Sequence, residues 1–287
     1  MIDVKPTGAA LGAEIRGVDL SKALDQNTFD AIVEAFHRHE VVFFRDQTLT
    51  PEQHVAFSRR FGELELHVRA DRCRPGYPEL FVVSNVIENG KPIGSQDAGL
   101  FWHSDLCYMA EPSRGSIFYA REVPIGDDGE PLGDTLFASA TAAYESLPDV
   151  PKQRIARLKA VNSYEQGYYR DRKSGGRPPL TEEQKRRTPD TEHPIVRTHP
   201  FTGKKCLFVN EGYTSRIVGM DGPDGGALLS GLLAHATDER FIYRHQWRVG
   251  DLLIWDNCST QHLAIPDYEL PKRRLMERAT VRGTRPF

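Results

Sequence analysis

Short apolar runs separated by turn residues recur along almost the whole chain, and this alternation constrains the fold more than any other feature. Val41-Val42-Phe43-Phe44 is β-branched or aromatic throughout and is expected to be a buried strand. Runs at 80–86, 116–120, 135–137, 195–198, 205–209, 241–247, 251–255 and 274–281 predict further strands, with smaller ones at 2–4 and 13–15. Helical spacing is confined to a few segments. Phe29, Ile32, Val33 and Phe36 give one buried face to a helix over 27–37. Thr50-Pro51-Glu52-Gln53 supplies an N-cap, a first-turn proline and the glutamine of a capping box, so a helix should run to about Arg60 and stop at Gly62. Shorter helices are expected over 141–147 and 226–236. Many strands around few helices predict a mainly β fold, with a double-sheet core of the jelly-roll or cupin-like kind and flanking α-helices.

Composition narrows the function classes. With 287 residues, 39% hydrophobic and 27% charged, the chain is long enough for a substantial core. The formal charge of −3 gives no electrostatic reason to expect a nucleic-acid partner. No apolar run approaches the ~20 residues needed to span a bilayer, and residues 1–6 lack a signal-peptide core. Cys73, Cys107, Cys206 and Cys258 show neither metal-site nor disulfide spacing, which fits reduced thiols in the cytoplasm. A single domain over 1–287 is expected. The exception in character is 165–192, where Tyr168, Tyr169, Arg170, Arg172, Lys173, Gly175, Gly176, Arg177, Pro178 and Pro179 make a polar, basic stretch. That stretch is read as a solvated loop or as a lid over a pocket.

The chemistry resides in His103 and Asp105 of Phe101-Trp102-His103-Ser104-Asp105, and in His262 of Asp256-Asn257-Cys258-Ser259-Thr260-Gln261-His262. A His-x-Asp spacing puts both side chains on one side of a strand or its end. Two imidazoles and one carboxylate form the ligand set that leaves half of an octahedral iron(II) site open. Taken alone the tripeptide is a weak signal. The distal His262, followed by Arg274 and Arg278, strengthens it, since planar guanidinium groups suit carboxylates.

These blocks, together with Gly133-Asp134-Thr135-Leu136-Phe137, Val196-Arg197-Thr198-His199-Pro200, Leu207-Phe208-Val209-Asn210-Glu211-Gly212 and Arg273-Arg274-Leu275-Met276-Glu277-Arg278-Ala279-Thr280, resemble the taurine dioxygenase/TfdA family of iron(II)/2-oxoglutarate-dependent dioxygenases. The resemblance runs in order from about residue 2 to the C-terminus. It implies a double-stranded β-helix fold. It also implies His103, Asp105 and His262 as iron ligands, Thr135 and Arg274 as the 2-oxoglutarate site, and Arg278 as the holder of the substrate's anionic group. The implied reaction consumes dioxygen, turns 2-oxoglutarate into succinate and carbon dioxide, and hydroxylates the substrate. Because Asp105 is present, hydroxylation is favoured over halogenation. Asp256 and Asn257 are expected to orient ligands. His199 is expected to make a structural hydrogen bond. Family members are commonly dimers or tetramers, so a homo-oligomer is expected.

The segment Phe61-Gly62-Glu63-Leu64-Glu65-Leu66-His67 marks His67 as a substrate contact by the same resemblance. The taurine enzymes carry a Tyr where this chain has Ala70, and an Asn where it has Gly99. Both departures point away from taurine and toward a larger anion: an aryloxyalkanoate, an aromatic carboxylate, or an alkyl sulfonate or sulfate ester. Two alternatives stay open at this level, a zinc hydrolase on the same three ligands and a non-enzymatic cupin-like binding protein.

Overall fold

In a computed structural model, the structure describes residues 2–67, 70–96, 99–170 and 179–287. An eight-stranded sheet forms the frame. Its order is Asp3–Pro6, Ala13–Arg16, Val41–Phe44, Leu252–Asp256, Gly115–Glu122, Leu275–Val281, Tyr77–Ser84, Cys73–Arg74. All neighbours in it are antiparallel except Ala13–Arg16 with Val41–Phe44.

The period of two along each strand divides the core into two layers. Val42, Phe44, Ile117, Leu252, Ile254 and Ala279 face the helices Gln26–His39 and Pro51–Arg59, meeting Phe29, Ile32, Phe36, Val55 and Phe57. Val41, Phe43, Phe118, Leu253, Trp255 and Met276 face the other way, onto Phe137, Tyr243 and Trp247. Phe137 and Tyr243 lie on a second, three-stranded sheet ordered Ile242–His245, Thr135–Ser139, Thr260–Ala264. Two mainly antiparallel sheets packed face to face, with helices outside, are the expected jelly-roll core. Phe137 is fully buried between them, and cutting such a ring back to alanine typically costs ~3–5 kcal/mol. Lys159–Asn162, Thr191–Pro194 and Thr214–Ile217 form a further sheet, beside the helices Ala140–Ser146 and Pro223–Ala236.

The helix starts follow the sequence. Thr50 and Gln53 complete the capping box with Pro51 in the first turn, and Asp25 caps Gln26–His39 through the Thr28 amide. Other parts differ from expectation. Where no strand was expected, Asn89-Gly90, with φ of 50° and 73°, turns a small hairpin between Ile87–Glu88 and Lys91–Pro92. Asn-Gly is the dipeptide that a type I′ hairpin favours. The stretch 165–192 carries the helices Tyr164–Arg170 and Glu182–Arg187, the second with a Thr181/Gln184 capping box. The basic run 171–178 at the heart of the lid reading lies outside the described residues.

Candidate active site

His103 lies directly opposite His262. Each backbone N–H donates to the other's carbonyl, at 3.1 and 2.8 Å. This bridge puts the two imidazoles on the same side, with ring centroids 4.1 Å apart. His262 belongs to the strand Thr260–Ala264; beyond the bridge, the chain turns at Asp105 and Leu106 adopts φ 57°. The turn brings the Asp105 carboxylate back toward the rings, with Oδ1 3.8 Å from His103 Nε2. The ligand atoms of His103, Asp105 and His262 all lie within 4.8 Å of one another, and all three residues are buried.

Each donor is fixed from behind. His103 Nδ1 lies 2.9 Å from the Phe101 carbonyl, so it carries the proton and leaves Nε2 as a free lone pair. The Ser116 hydroxyl donates to Asp105 Oδ2 at 2.7 Å, and Arg278 Nη1 donates to Oδ1 at 2.7 Å. Asn257 accepts from the Asp105 amide and donates to Ser113 and Ser116. Burial alone would raise the Asp105 carboxyl, but Arg278 first, then the two imidazoles and Ser116, hold it well below the ordinary range. Burial lowers His103 and drives His262 well below an ordinary imidazole. The three donors are therefore deprotonated and aimed at one point, which is what a divalent cation needs.

His199, Asp256 and Cys258 make a second buried cluster of comparable size. Hydrogen bonds account for it fully. His199 Nδ1 accepts from the amides of Phe201 and Thr202, so its proton sits on Nε2 and is donated to Asp256 at 2.9 Å. The Cys258 amide donates to Asp256, and burial pushes the Cys258 thiol far up. His199 has the structural role expected of it.

Arg274 precedes the strand Leu275–Val281 and is 3% exposed. Its guanidinium reaches the Gly133 carbonyl at 3.4 Å, and its Nε is buried with no partner. Among the described residues no carboxylate comes within ion-pair distance of it. Burial lowers its pKa. Gly133 has φ 76°, and a Cβ there would lie 2.9 Å from Arg274 Nε, so only glycine admits this approach. The Thr135 hydroxyl accepts from Trp247 Nε1 at 3.0 Å, and Trp247 packs on Phe118, the ring beneath Arg274. A cavity of ≈ 310 Å³ opens here, lined by Val83, Asn85, Leu100, Ala264, Tyr268 and Arg274 among others.

The two substrate candidates also come together. His67 stacks on Phe81 at 4.0 Å, and the Arg278 guanidinium lies 5.5 Å from the centre of the same ring. Gly99 does not open space as expected: a Cβ there would stand 3.1 Å from His103 Cε1, so the imidazole fills that volume. Ser116, Phe81, Gly133 and Tyr268 were not singled out from sequence. Only Gly133, beside Thr135 in its motif, carried a local signal.

A double-sheet core holding two histidines, a carboxylate and a buried arginine with no direct ion pair among the described residues describes an oxygenase that uses iron and a dicarboxylate cosubstrate. The comparisons make the family definite. The sequence pattern of the family described as "Taurine catabolism dioxygenase TauD, TfdA family" matches residues 3–280. The alpha-ketoglutarate-dependent 2,4-dichlorophenoxyacetate dioxygenase of Cupriavidus pinatubonensis is 34% identical over 287 residues, covering 96% of each chain. The alpha-ketoglutarate-dependent sulfate ester dioxygenase of Pseudomonas putida is 33% identical, covering 99% of this chain and 91% of its own. The crystal structure of a taurine dioxygenase from Burkholderia xenovorans superimposes with a TM-score of 0.82 at 34% identity, covering 99% of this chain and 90% of its own. The chain belongs to the TauD/TfdA family. It is an iron(II)- and 2-oxoglutarate-dependent dioxygenase (alpha-ketoglutarate being the older name of that cosubstrate), with dioxygen as co-reactant.

Proposed function

We propose that this dioxygenase hydroxylates a small organic anion at iron(II) held by His103, Asp105 and His262, with 2-oxoglutarate anchored by Arg274 and Thr135. The observation that carries the reading is Arg274. A buried guanidinium that forms no ion pair among the described residues, with Asp267 and Asp134 only nearby, is stabilised when an anion arrives to pair with it. The distal carboxylate of 2-oxoglutarate suits its planar fork. When bound, the metal and cosubstrate supply the dioxygen chemistry. The chain's own residues position and exclude. Phe101 fixes the His103 tautomer, Ser116 and Asn257 hold Asp105, and the rings of Phe81, Phe118 and Trp255 lie against Arg278, Arg274 and His262.

Arg278 is assigned the substrate's anionic group. One of its five donors is engaged by Asp105, and its Nε is buried without a partner. His67 and Phe81 offer flat faces beside it. An aryloxyalkanoate, an aromatic carboxylate or an alkyl sulfonate or sulfate ester fits these contacts better than taurine. Relatives named for 2,4-dichlorophenoxyacetate, sulfate esters and phenoxypropionate support that range. We assign 1–287 to one catalytic domain, with 165–192 as its lid, working in the cytoplasm as a dimer or tetramer without nucleic-acid or membrane partners. No helix among the described residues is long and apolar enough to cross a membrane.

The test is succinate formation and oxygen uptake with iron(II), ascorbate and 2-oxoglutarate, against these acids paired with their neutral amides. Substrate-stimulated succinate for acids, absent for amides and absent in His103→Ala, is the expected result. Equal stimulation by acids and amides would remove Arg278 from its role. No succinate at all from iron-loaded protein would overturn the site assignment.

A further inference from the structure

Half of the protein's 10 tyrosines stand in a single file. It begins at a proposed metal ligand: the Tyr213 ring lies 6.2 Å from His103. Tyr108 follows at 4.9 Å from Tyr213, and Tyr164 at 4.8 Å from Tyr108. Tyr168 is 5.9 Å from Tyr164, and Tyr169 is 5.3 Å from Tyr168. Every step falls within the range of packed aromatic pairs. The last three rings belong to the helix Tyr164–Arg170 and are half-buried, so the file leads from the buried centre to the surface.

The arrangement is built into the local structure. Tyr164 and Tyr168 are one helical turn apart and therefore neighbours on one face. Gly167 lies in the same helix where the Tyr213 ring packs; a Cβ there would come within 2.2 Å of Tyr213 Cε1. The Tyr213 amide donates to Asn210 Oδ1 at 2.9 Å, and its ring meets Phe101 edge-on at 5.7 Å. The outer helix thus rests directly on the ring that touches His103.

A phenol is among the easiest side chains to oxidise, and closely packed phenols pass an electron vacancy along by short steps. An oxygenase that consumes 2-oxoglutarate with no substrate in place retains two oxidising equivalents and one oxygen atom at its centre. We infer that the tyrosine file drains these equivalents to the surface. Tyr213 gives up one electron together with its phenolic proton and is refilled by Tyr108. Each phenol in turn passes an electron and a proton to its inner neighbour, through Tyr164 to Tyr168 and Tyr169, where a small reductant of the ascorbate or thiol class supplies one electron and one proton. Two such passages deliver two electrons. Two electrons with two protons balance the release of one oxygen atom as water, so the two passages would discharge the bound metal's oxidising equivalents and leave the protein unchanged. Trp255 also touches a proposed ligand, at 4.8 Å from His262, but its other ring contacts are Phe118 and Phe137, which resist oxidation. The inference rests on the assignment of His103 to the metal.

The experiment uses full-length, iron(II)-loaded protein mixed with 2-oxoglutarate and oxygen without substrate. Succinate is measured in parallel with freeze-quenched electron paramagnetic resonance. A second aliquot contains 2-methyl-2-nitrosopropane, which bonds to a tyrosyl radical and lets peptide mass spectrometry locate it. A tyrosyl signal that changes with ring-deuterated tyrosine, and adducts on Tyr168 or Tyr169, are expected. Tyr164→Phe keeps the ring and removes the phenol. It should lose the adducts on Tyr168 and Tyr169 and inactivate after several-fold fewer turnovers, while Tyr144→Phe, outside the file, does neither. Succinate without a tyrosyl signal overturns the inference and leaves the oxygenase site standing. Equal adducts on Tyr168 and Tyr169 in Tyr164→Phe also overturn it. Wild-type protein that makes no succinate removes the site assignment and the inference together.

Discussion

Replacing Gly133 by alanine should loosen the hold on 2-oxoglutarate and leave the hold on substrate intact. The added methyl would lie 2.9 Å from Arg274 Nε, 2.9 Å from Tyr268 Cε1 and 3.0 Å from Arg274 Cδ. Carbon contacts are comfortable only from about 3.5–4.0 Å, so these neighbours must retreat by roughly 0.5–1 Å. The backbone has little freedom to yield instead: the Gly133 amide donates to Asp267 Oδ1 at 2.7 Å, and its carbonyl accepts from Arg274. With Arg274 as the anchor, a shift of that size converts to a rise of about ten- to a hundredfold in KM for 2-oxoglutarate. The KM for substrate should hold, because Arg278 and His67 pack on Phe81 and have no contact with Gly133. Alanine at φ 76° also strains the backbone by about 1–2 kcal/mol. Gly219→Ala isolates that part, since Gly219 has φ 75° and nothing within 4 Å of an added Cβ. Succinate rates across a 2-oxoglutarate titration, with calorimetric binding of 2-oxoglutarate to the manganese(II)-loaded protein, compare the two variants. If both lower Tm alike and neither changes the 2-oxoglutarate affinity, Arg274 does not anchor the cosubstrate.

Two further outcomes follow from burial. Because burial lowers the pKa of His103 and drives that of His262 well below an ordinary imidazole, protons should compete less with the metal, and manganese(II) affinity should fall by less between pH 7.5 and 6 than the about tenfold expected of two imidazoles titrating near 6.5. Isothermal calorimetry at the two pH values separates these cases. Glu40, buried at the end of Gln26–His39, has its carboxyl pushed up to about 7 by burial, against the pull of the Ser139 and Thr141 hydroxyls. Its unfolded form ionises from about 4.5, so stability is lost as pH rises from there to about 7 and then levels off. Glu40→Gln should therefore gain on the wild type with rising pH, by up to about 3 kcal/mol at pH 8, in denaturant melts; a difference that does not vary with pH would refute it.

How much of this was legible in the sequence depended on whether the signal was local. Val41–Phe44 reads as a buried strand because all of its residues are strand formers, and both of its faces are buried. The Thr50 capping box is also local, and its helix starts where expected. By contrast, the helix Asp149–Ile155 and the strands Lys159–Asn162 and Thr214–Ile217 gave no reading. They are short, and the two strands exist because they pair with each other, Lys159–Asn162 also pairing with Thr191–Pro194. At the site, the His-x-Asp spacing and the later His262 and arginines were readable. The groups that steer them were not. Ser116 lies 11 residues from the Asp105 it bonds, and Asn257 lies 152 residues away. Tyr213 is 110 positions beyond His103, which it touches. Such partners are chosen by the approach of the two sheets and leave no pattern along the chain.

Charge balance connects the readable residues to the substrate. Of these site groups, burial favours neutral His103 and His262, Asp105 contributes one negative charge, and buried Arg274 and half-buried Arg278 one positive charge each. These five groups together therefore bring a net single positive charge. A divalent metal and the dianion of 2-oxoglutarate cancel, so that positive charge persists until substrate binds. Unpaired charge in a water-poor site is costly, and the group that best relieves it carries one net negative charge. An aryloxyalkanoate, aromatic carboxylate, sulfonate or sulfate monoester meets that condition. Taurine does not, because its ammonium cancels its sulfonate and leaves the excess in place. The pairing of acids with their amides in the substrate panel tests this balance directly, since each amide keeps the shape of its acid and removes only the charge.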